Sequence, residues 1–181
     1  MEAMSYLPVR KLAQLRIELS NTDAICSIGS EILVGRTQRS NDGGAELLRT
    51  SFPNYPVFVV DVPKLASAAG RTSELETPLH LKSFCSMYGV NKMLVGGEIG
   101  FQFSQWLQDR TDRYEFIHLP DEAAANCISC NGAVIRRSGK EFPHSDAILR
   151  RQLPPDMRQI EIECSELGKV DGALTCCAVL F

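Results

Sequence analysis

The chain has 181 residues, 44% of them hydrophobic and 23% charged, a composition that fits one ordinary globular domain over residues 1–181 and excludes a disordered or fibrous chain. A formal net charge of -3 supplies no basic field, so nucleic acid is not an expected partner. No apolar run approaches the roughly 20 residues that span a bilayer, and residues 1–15 mix charged and apolar side chains instead of building a signal-peptide core, so no membrane partner is expected and a cytoplasmic location is.

After a short helical lead-in with Leu12 and Leu15 on one side, the apolar clusters follow a recurring order. The first unit reads as strands at Ala24 to Ile28 and Glu31 to Gly35, a helix from about Gly44 to Phe52, and a strand at Val57 to Val62. The second has strands at Leu81 to Tyr88 and Lys92 to Val95, a helix near Phe103 to Asp109, and a strand at Tyr114 to Leu119. The third runs Asn126 to Cys130, Ala133 to Arg136, a helix near Asp146 to Leu153, and a strand at Gln159 to Cys164. Stripes such as Phe103, Trp106 and Leu107 have the helical period, and the strands are short and bounded by Gly, Pro, Asn or Asp. The order ββαβ therefore occurs three times, with Ala173 to Phe181 as a final strand. Such repetition points to an α/β architecture in which each unit completes its core against its neighbours. The one long irregular segment, Pro63 to Pro78, reads as a surface loop that leads into His80.

The candidate reactive groups are few. Seven cysteines, at positions 26, 85, 127, 130, 164, 176 and 177, make an odd and irregularly spaced set that reads as reduced thiols. Cys127 and Cys130 form a CxxC, but no second pair with metal-ligand spacing follows, so they read as small buried side chains in a strand. Cys176 and Cys177 are adjacent; on a strand one thiol would face a site while the other, Cys177, packs in the core, although two buried thiols are the favoured reading of the residues alone. Of three histidines, His118 alternates with apolar residues and reads as structural, His144 precedes a helix and reads as a solvent or capping residue, and His80 stands at the entry to a strand.

Three segments, Leu79 to Met87 (LHLKSFCSM), Asp121 to Cys127 (DEAAANC) and Ser165 to Cys177 (SELGKVDGALTCC), resemble consecutive blocks of the dimethylarginine dimethylaminohydrolases. A fourth, Val34 to Asn41, is similar to that family's arginine-containing turn. The resemblance covers about Leu15 to Phe181 and implies a partial pentein, the five-bladed α/β propeller built from ββαβ units. It implies hydrolysis of N-omega-methylated arginine to citrulline and dimethylamine through a covalent Cys intermediate, with a methylated arginine as the small-molecule partner and no required cofactor. By the same resemblance Cys176 is the nucleophile, His80 the general acid/base, Arg39 the grip on the substrate α-carboxylate, and Val170 a backbone contact. Asp23 is the acid behind the histidine if one residue is inserted, and zinc is an inhibitory ligand at Cys176. The chemistry suits those residue types: a guanidinium carbon is a poor electrophile, so attack needs a thiolate and a proton for the departing amine.

The family's N-terminal blades, with a lid, the carboxylates that bind the guanidinium and a second arginine, have no counterpart in the sequence. The expectation is therefore a dimethylargininase-type hydrolase impaired by truncation, and the alternative is a catalytically silent pentein fragment that binds partners through an unpaired blade edge. An arginine deiminase or amidinotransferase is a third possibility, less similar in its SELGKVDGALTCC block.

Overall fold

A computed structural model describes residues 31–170 and 172–178 together with the backbone of 23–26. The helical lead-in around Leu12 and Leu15 lies outside the described residues. Among the described residues, three sheets of three strands follow one another along the chain. The first has β1 (Asp23–Cys26), β2 (Ile32–Arg36), helix α1 (Asp42–Ser51) and β3 (Val57–Asp61). After helix α2 (Val62–Ala68), the second has β4 (Cys85–Gly89), β5 (Lys92–Gly96), α3 (Gly97–Gln108) and β6 (Glu115–Leu119). The third has β7 (Ile128–Cys130), β8 (Ala133–Arg137), α4 (Pro143–Gln152) and β9 (Arg158–Ile162), followed by the short α5 (Ser165–Gly168).

In every unit the first two strands are antiparallel and the helix crosses over to a third strand parallel to the second. The helices start where local chemistry favours it. The Asn41 side chain accepts a hydrogen bond from the Gly44 amide at 2.9 Å to cap α1, and Pro143 stands at the start of α4, where its missing N–H is no loss.

The middle strands of the first two units each serve two cores, because successive side chains point to opposite faces. In β2, Ile32 and Val34 pack with Ala45 and Leu48 of their own helix, while Leu33 joins Phe84, Met93, Ile99 and Phe103 of the second unit. In β5, Met93 and Val95 face their own helix, and Leu94 joins Val134, Leu149 and Leu153 of the third unit. Leu33 and Leu94 are both fully buried by this arrangement. In the third unit the corresponding outward row, Ile128, Ile135 and Ile160, lies side by side across β7, β8 and β9 and is only half-buried. Ile162, two residues along β9, is exposed.

Where β8 faces its own helix, Arg136 has no exposed side-chain surface. It donates to Asp146 at 2.6 Å, Glu161 at 3.2 Å and Gln159 at 2.9 Å. A buried guanidinium is tolerable only when so matched.

Three sequence readings need correction. Pro63 to Pro78 is not a plain loop: Val62–Ala68 is helical, with Pro63 in its first turn and Asp61 accepting from the Lys64 amide, and Glu74–Glu76 is a 3-10 turn closed by Ser73 and Glu76 as a capping box. Leu81–Ser83 is a 3-10 turn, and the strand begins only at Cys85. Leu174–Cys177 is likewise a 3-10 turn and not part of a final strand; residues 179–181 lie outside the described residues.

Two expected outcomes follow from the Arg136 network. Arg136→Ala takes the buried partner from Asp146 and Glu161 and leaves them Arg150 alone, and should cost about 1.5–3 kcal/mol, read from the urea midpoint. Partial burial pushes the Asp146 carboxyl up, but hydrogen bonds from Arg150 and Arg136 outweigh it and hold the group below the ordinary carboxylate range. A depressed folded-state pKa means that the stabilisation is fully present above about pH 4 and is lost as pH falls through the folded value. Acid titration of Arg136→Ala should therefore show a weaker loss below pH 4 than the parent chain.

Candidate active site

The turn that carries Arg39 is built from hydroxyl groups. Ser40 Oγ accepts from the Thr37 amide at 2.8 Å and donates to the Gly35 carbonyl, and Thr37 Oγ1 accepts from the Arg39 amide at 3.0 Å. Arg39 is exposed on that turn. The turn is tied onward by Gln38, whose amide donates to Glu74 at 3.2 Å.

His80 stands in extended backbone as the residue that opens the Leu81–Ser83 turn, with its carbonyl accepting from the Ser83 amide at 3.0 Å. The turn sits on β2 because Gly35 has no side chain there: a Cβ would come within 2.9 Å of Leu81 Cβ. Strand β1, which contains Asp23, lies against the same turn. Asp23 pairs in the backbone with Gly35, and its side chain lies outside what the structure describes.

The Glu122–Ala125 turn is pinned from two sides. Ser145, fully buried on α4, donates to Asp121 Oδ2 at 2.7 Å and accepts from the Asp121 amide at 3.2 Å. On the other side a Cβ at Gly96 would fall 2.6 Å from the carbonyl oxygens of Asp121 and Glu122, so only glycine lets β5 approach. The turn delivers Asn126, 1% exposed. Its Nδ2 donates to the Lys82 carbonyl at 2.8 Å and to Thr175 Oγ1 at 2.9 Å, and its Oδ1 accepts from the Thr175 amide at 3.2 Å.

These loops enclose a cavity of about 630 Å³. His80 lines it, as do Gln38 beside Arg39, Asn126, and Gly172 and Ala173 between Val170 and Cys176. The structure thus gathers the segments that carry Arg39, His80, Val170 and Cys176 around one space, although of those four residues only His80 is itself among the lining. Val170 is 75% exposed. Cys176 and Cys177 are both exposed, with the Cys176 amide donating to the Ala173 carbonyl at 3.0 Å. The expectation that Cys177 packs in the core is therefore corrected: in a 3-10 turn neighbours do not alternate between two faces as they do on a strand.

Charges at the cavity were not anticipated. Arg71 is held by Glu122 and by the Glu76 carbonyl at 2.6 Å. Arg137 grips Glu141 through two bonds, at 2.9 and 2.8 Å, and lies over the Phe142 ring. The Arg137 hydrogen bonds hold the Glu141 carboxyl below its ordinary range against partial burial. Sequence offered one signal for Asn126, a polar residue inside the otherwise small and apolar AAANC; nothing marked Arg71 or Arg137.

The remaining candidates do not line the cavity. His118, exposed on β6, lies against the Phe101 and Phe116 rings, at 5.6 and 6.1 Å, and desolvation by its surroundings lowers its pKa. His144 is exposed near the start of α4, and its side chain does not cap that helix. Cys127 is buried, and desolvation pushes its thiol up to about 12. Among the described residues no three His, Cys, Asp or Glu side chains cluster as metal ligands. No helix among the described residues is long and apolar enough to cross a membrane.

Among the described residues, three successive ββαβ units with loops gathered around one cavity match a partial pentein fold. An amidinotransferase from Microseira wollei shares the fold with a TM-score of 0.58, covering 85% of this chain and 42% of that one, at only 16% identity. In sequence and fold the chain is similar to the dimethylarginine dimethylaminohydrolases. The structure of the Pseudomonas aeruginosa enzyme as a cysteine-to-serine mutant complexed with citrulline matches with a TM-score of 0.61 and 27% identity, covering 84% of this chain and 52% of that one. By sequence, an N(G),N(G)-dimethylarginine dimethylaminohydrolase from that organism is 28% identical over 159 residues, 87% of this chain and 54% of the relative. Human DDAH2 is 28% identical over 172 residues, 90% of this chain and 55% of the relative. The chain spans about half the length of the curated relatives it matches. No protein-family model matches it.

The burial pattern predicts an order of thiol modification. Brief treatment with iodoacetamide near pH 8 should label Cys176 and Cys177 first and leave Cys85 and Cys127 unlabelled until the chain unfolds, as read by peptide mass mapping.

Proposed function

We propose that this chain carries the nucleophile, the proton-transfer group and the carboxylate grip of a dimethylargininase-type site. The observation that supports this most is the shared cavity, whose lining includes both His80 and Gly172 and Ala173 of the segment that leads into Cys176. In this reading the Cys176 thiolate adds to the guanidinium carbon of a methylated arginine. His80 gives a proton to the departing nitrogen, the C–N bond breaks, and dimethylamine leaves. His80 then takes a proton from water, whose hydroxyl displaces the thiolate to give citrulline. Arg39, on its hydroxyl-braced turn, holds the α-carboxylate by a bidentate pair, and the Val170 backbone contacts the substrate. Asp23, on the strand beside the His80 turn, would orient and charge-stabilise the imidazole. No cofactor takes part, and zinc at Cys176 would act only as an inhibitor that occupies the thiolate.

The half-buried isoleucine row on the third sheet supports the idea that the working form has more blades than the three described. In the first two units the equivalent face seats the next unit. The same row favours the second reading, a binding role without turnover.

A citrulline assay separates them. Cys176→Ala and His80→Ala should each lower kcat by about a hundredfold or more with the fold retained, and Arg39→Ala should act mainly on KM. A form extended upstream by the blades of the relatives should exceed the 181-residue chain in kcat/KM by about a hundredfold, since two charge-assisted bonds to the guanidinium are each worth roughly 1.5–3 kcal/mol. Absence of turnover in both forms would leave the binding reading.

A further inference from the structure

We infer that Asn126 is a positioning residue that sets the distance between the His80 turn and the Cys176 turn; the inference rests on the proposed roles of those two residues. The two turns come from segments far apart in sequence, and one buried side chain bonds to both. Lys82 lies in the turn opened by His80, and Thr175 immediately precedes Cys176. The partners fix the orientation of the amide. The Lys82 carbonyl can only accept and the Thr175 amide can only donate, so Nδ2 must face the first and Oδ1 the second. Both protons of Nδ2 and the oxygen are then used, the second proton going to Thr175 Oγ1.

No other side chain of similar size does this. Aspartate keeps an acceptor for the Thr175 amide but sets a carboxylate against the Lys82 carbonyl, and leucine or alanine takes the Asn126 partner from three half-buried polar groups. The group is also braced from outside the site, since Gly96 and Ser145 hold the turn that presents it. Asn126 thereby fixes the separation of nucleophile and proton donor without taking part in the chemistry, and small errors in such a separation lower the rate steeply.

The test uses Asn126→Asp and the milder Thr175→Val, with Thr175→Ser as the conservative control, in the full chain and in its upstream-extended form. Hydrogen exchange should show that Asn126→Asp keeps the Thr175 amide protected but speeds exchange in the peptide spanning residues 80–86. For whichever form turns over dimethylarginine, Asn126→Asp should lower kcat about tenfold or more while KM changes little. Thr175→Val should show a smaller fall, and Thr175→Ser should restore parental values. Unchanged exchange in residues 80–86 and 172–178, or parental kcat in Asn126→Asp, overturns the inference. If neither form turns over substrate, the enzymatic reading fails on that assay alone, and the exchange pattern still decides whether Asn126 joins the two turns.

Discussion

A middle strand that must be buried on both faces is the constraint from which the architecture follows. Leu33 and Leu94 point away from the helices of their own units, so neither unit can satisfy its apolar surface alone, and burial of such side chains is worth about 1.5–3 kcal/mol each. The helix and strands of the following unit supply the missing cover. Once units are forced to stand side by side, their first strands also meet: Ser86 Oγ accepts from the Cys127 amide at 3.3 Å and Ser129 Oγ donates to the Tyr88 carbonyl at 2.9 Å, joining β4 to β7. Small hydroxyl side chains there satisfy backbone groups that a larger residue would leave unpaired.

Side-by-side units bring equivalent loops to one place, and the cavity is the space those loops leave. Its walls are mostly turns, with Arg137 at the end of β8 and Gly168 at the end of α5. Stiffness there comes from side-chain bonds to backbone, as at Ser40, Ser73, Ser145 and Asn126. Two glycines matter for the same reason, Gly35 beneath the His80 turn and Gly96 beneath the Asn126 turn, each allowing an approach that a Cβ would block. The cavity arginines have carboxylate partners already in place, Glu122 for Arg71 and Glu141 for Arg137. They stiffen the walls as much as they charge them.

Much of the fold was legible because two periods dominate the sequence. Alternation marked the strands and the 3.6-residue stripe marked α3, so the threefold ββαβ order could be read before any coordinates. Local signals failed where tertiary contacts decide. LTCCAV has strong strand propensity, yet the Asn126 amide takes hold of Thr175 and the chain closes into a turn. Pro63 and the small residues after it suggested a loop, although proline suits the first turn of a helix and alanine its interior. The importance of His80 came from resemblance and not from its own neighbours, since an isolated histidine at a strand entry has no distinguishing pattern. Arg137 was invisible for a different reason: its pairing with Glu141 is an i,i+4 spacing outside any helix, where that spacing carries no meaning until the backbone is known.

The isoleucine row of the third sheet bears on how the protein behaves in a tube. Ile128, Ile135 and Ile160, with Ile162 at the border, form an apolar strip across β7, β8 and β9. A chain with no further blade against that strip leaves these side chains to water or to another apolar surface. Self-association through the strip would rise with protein concentration and with sulfate or phosphate, which strengthen apolar burial, and would be insensitive to substrate or to the state of the thiols.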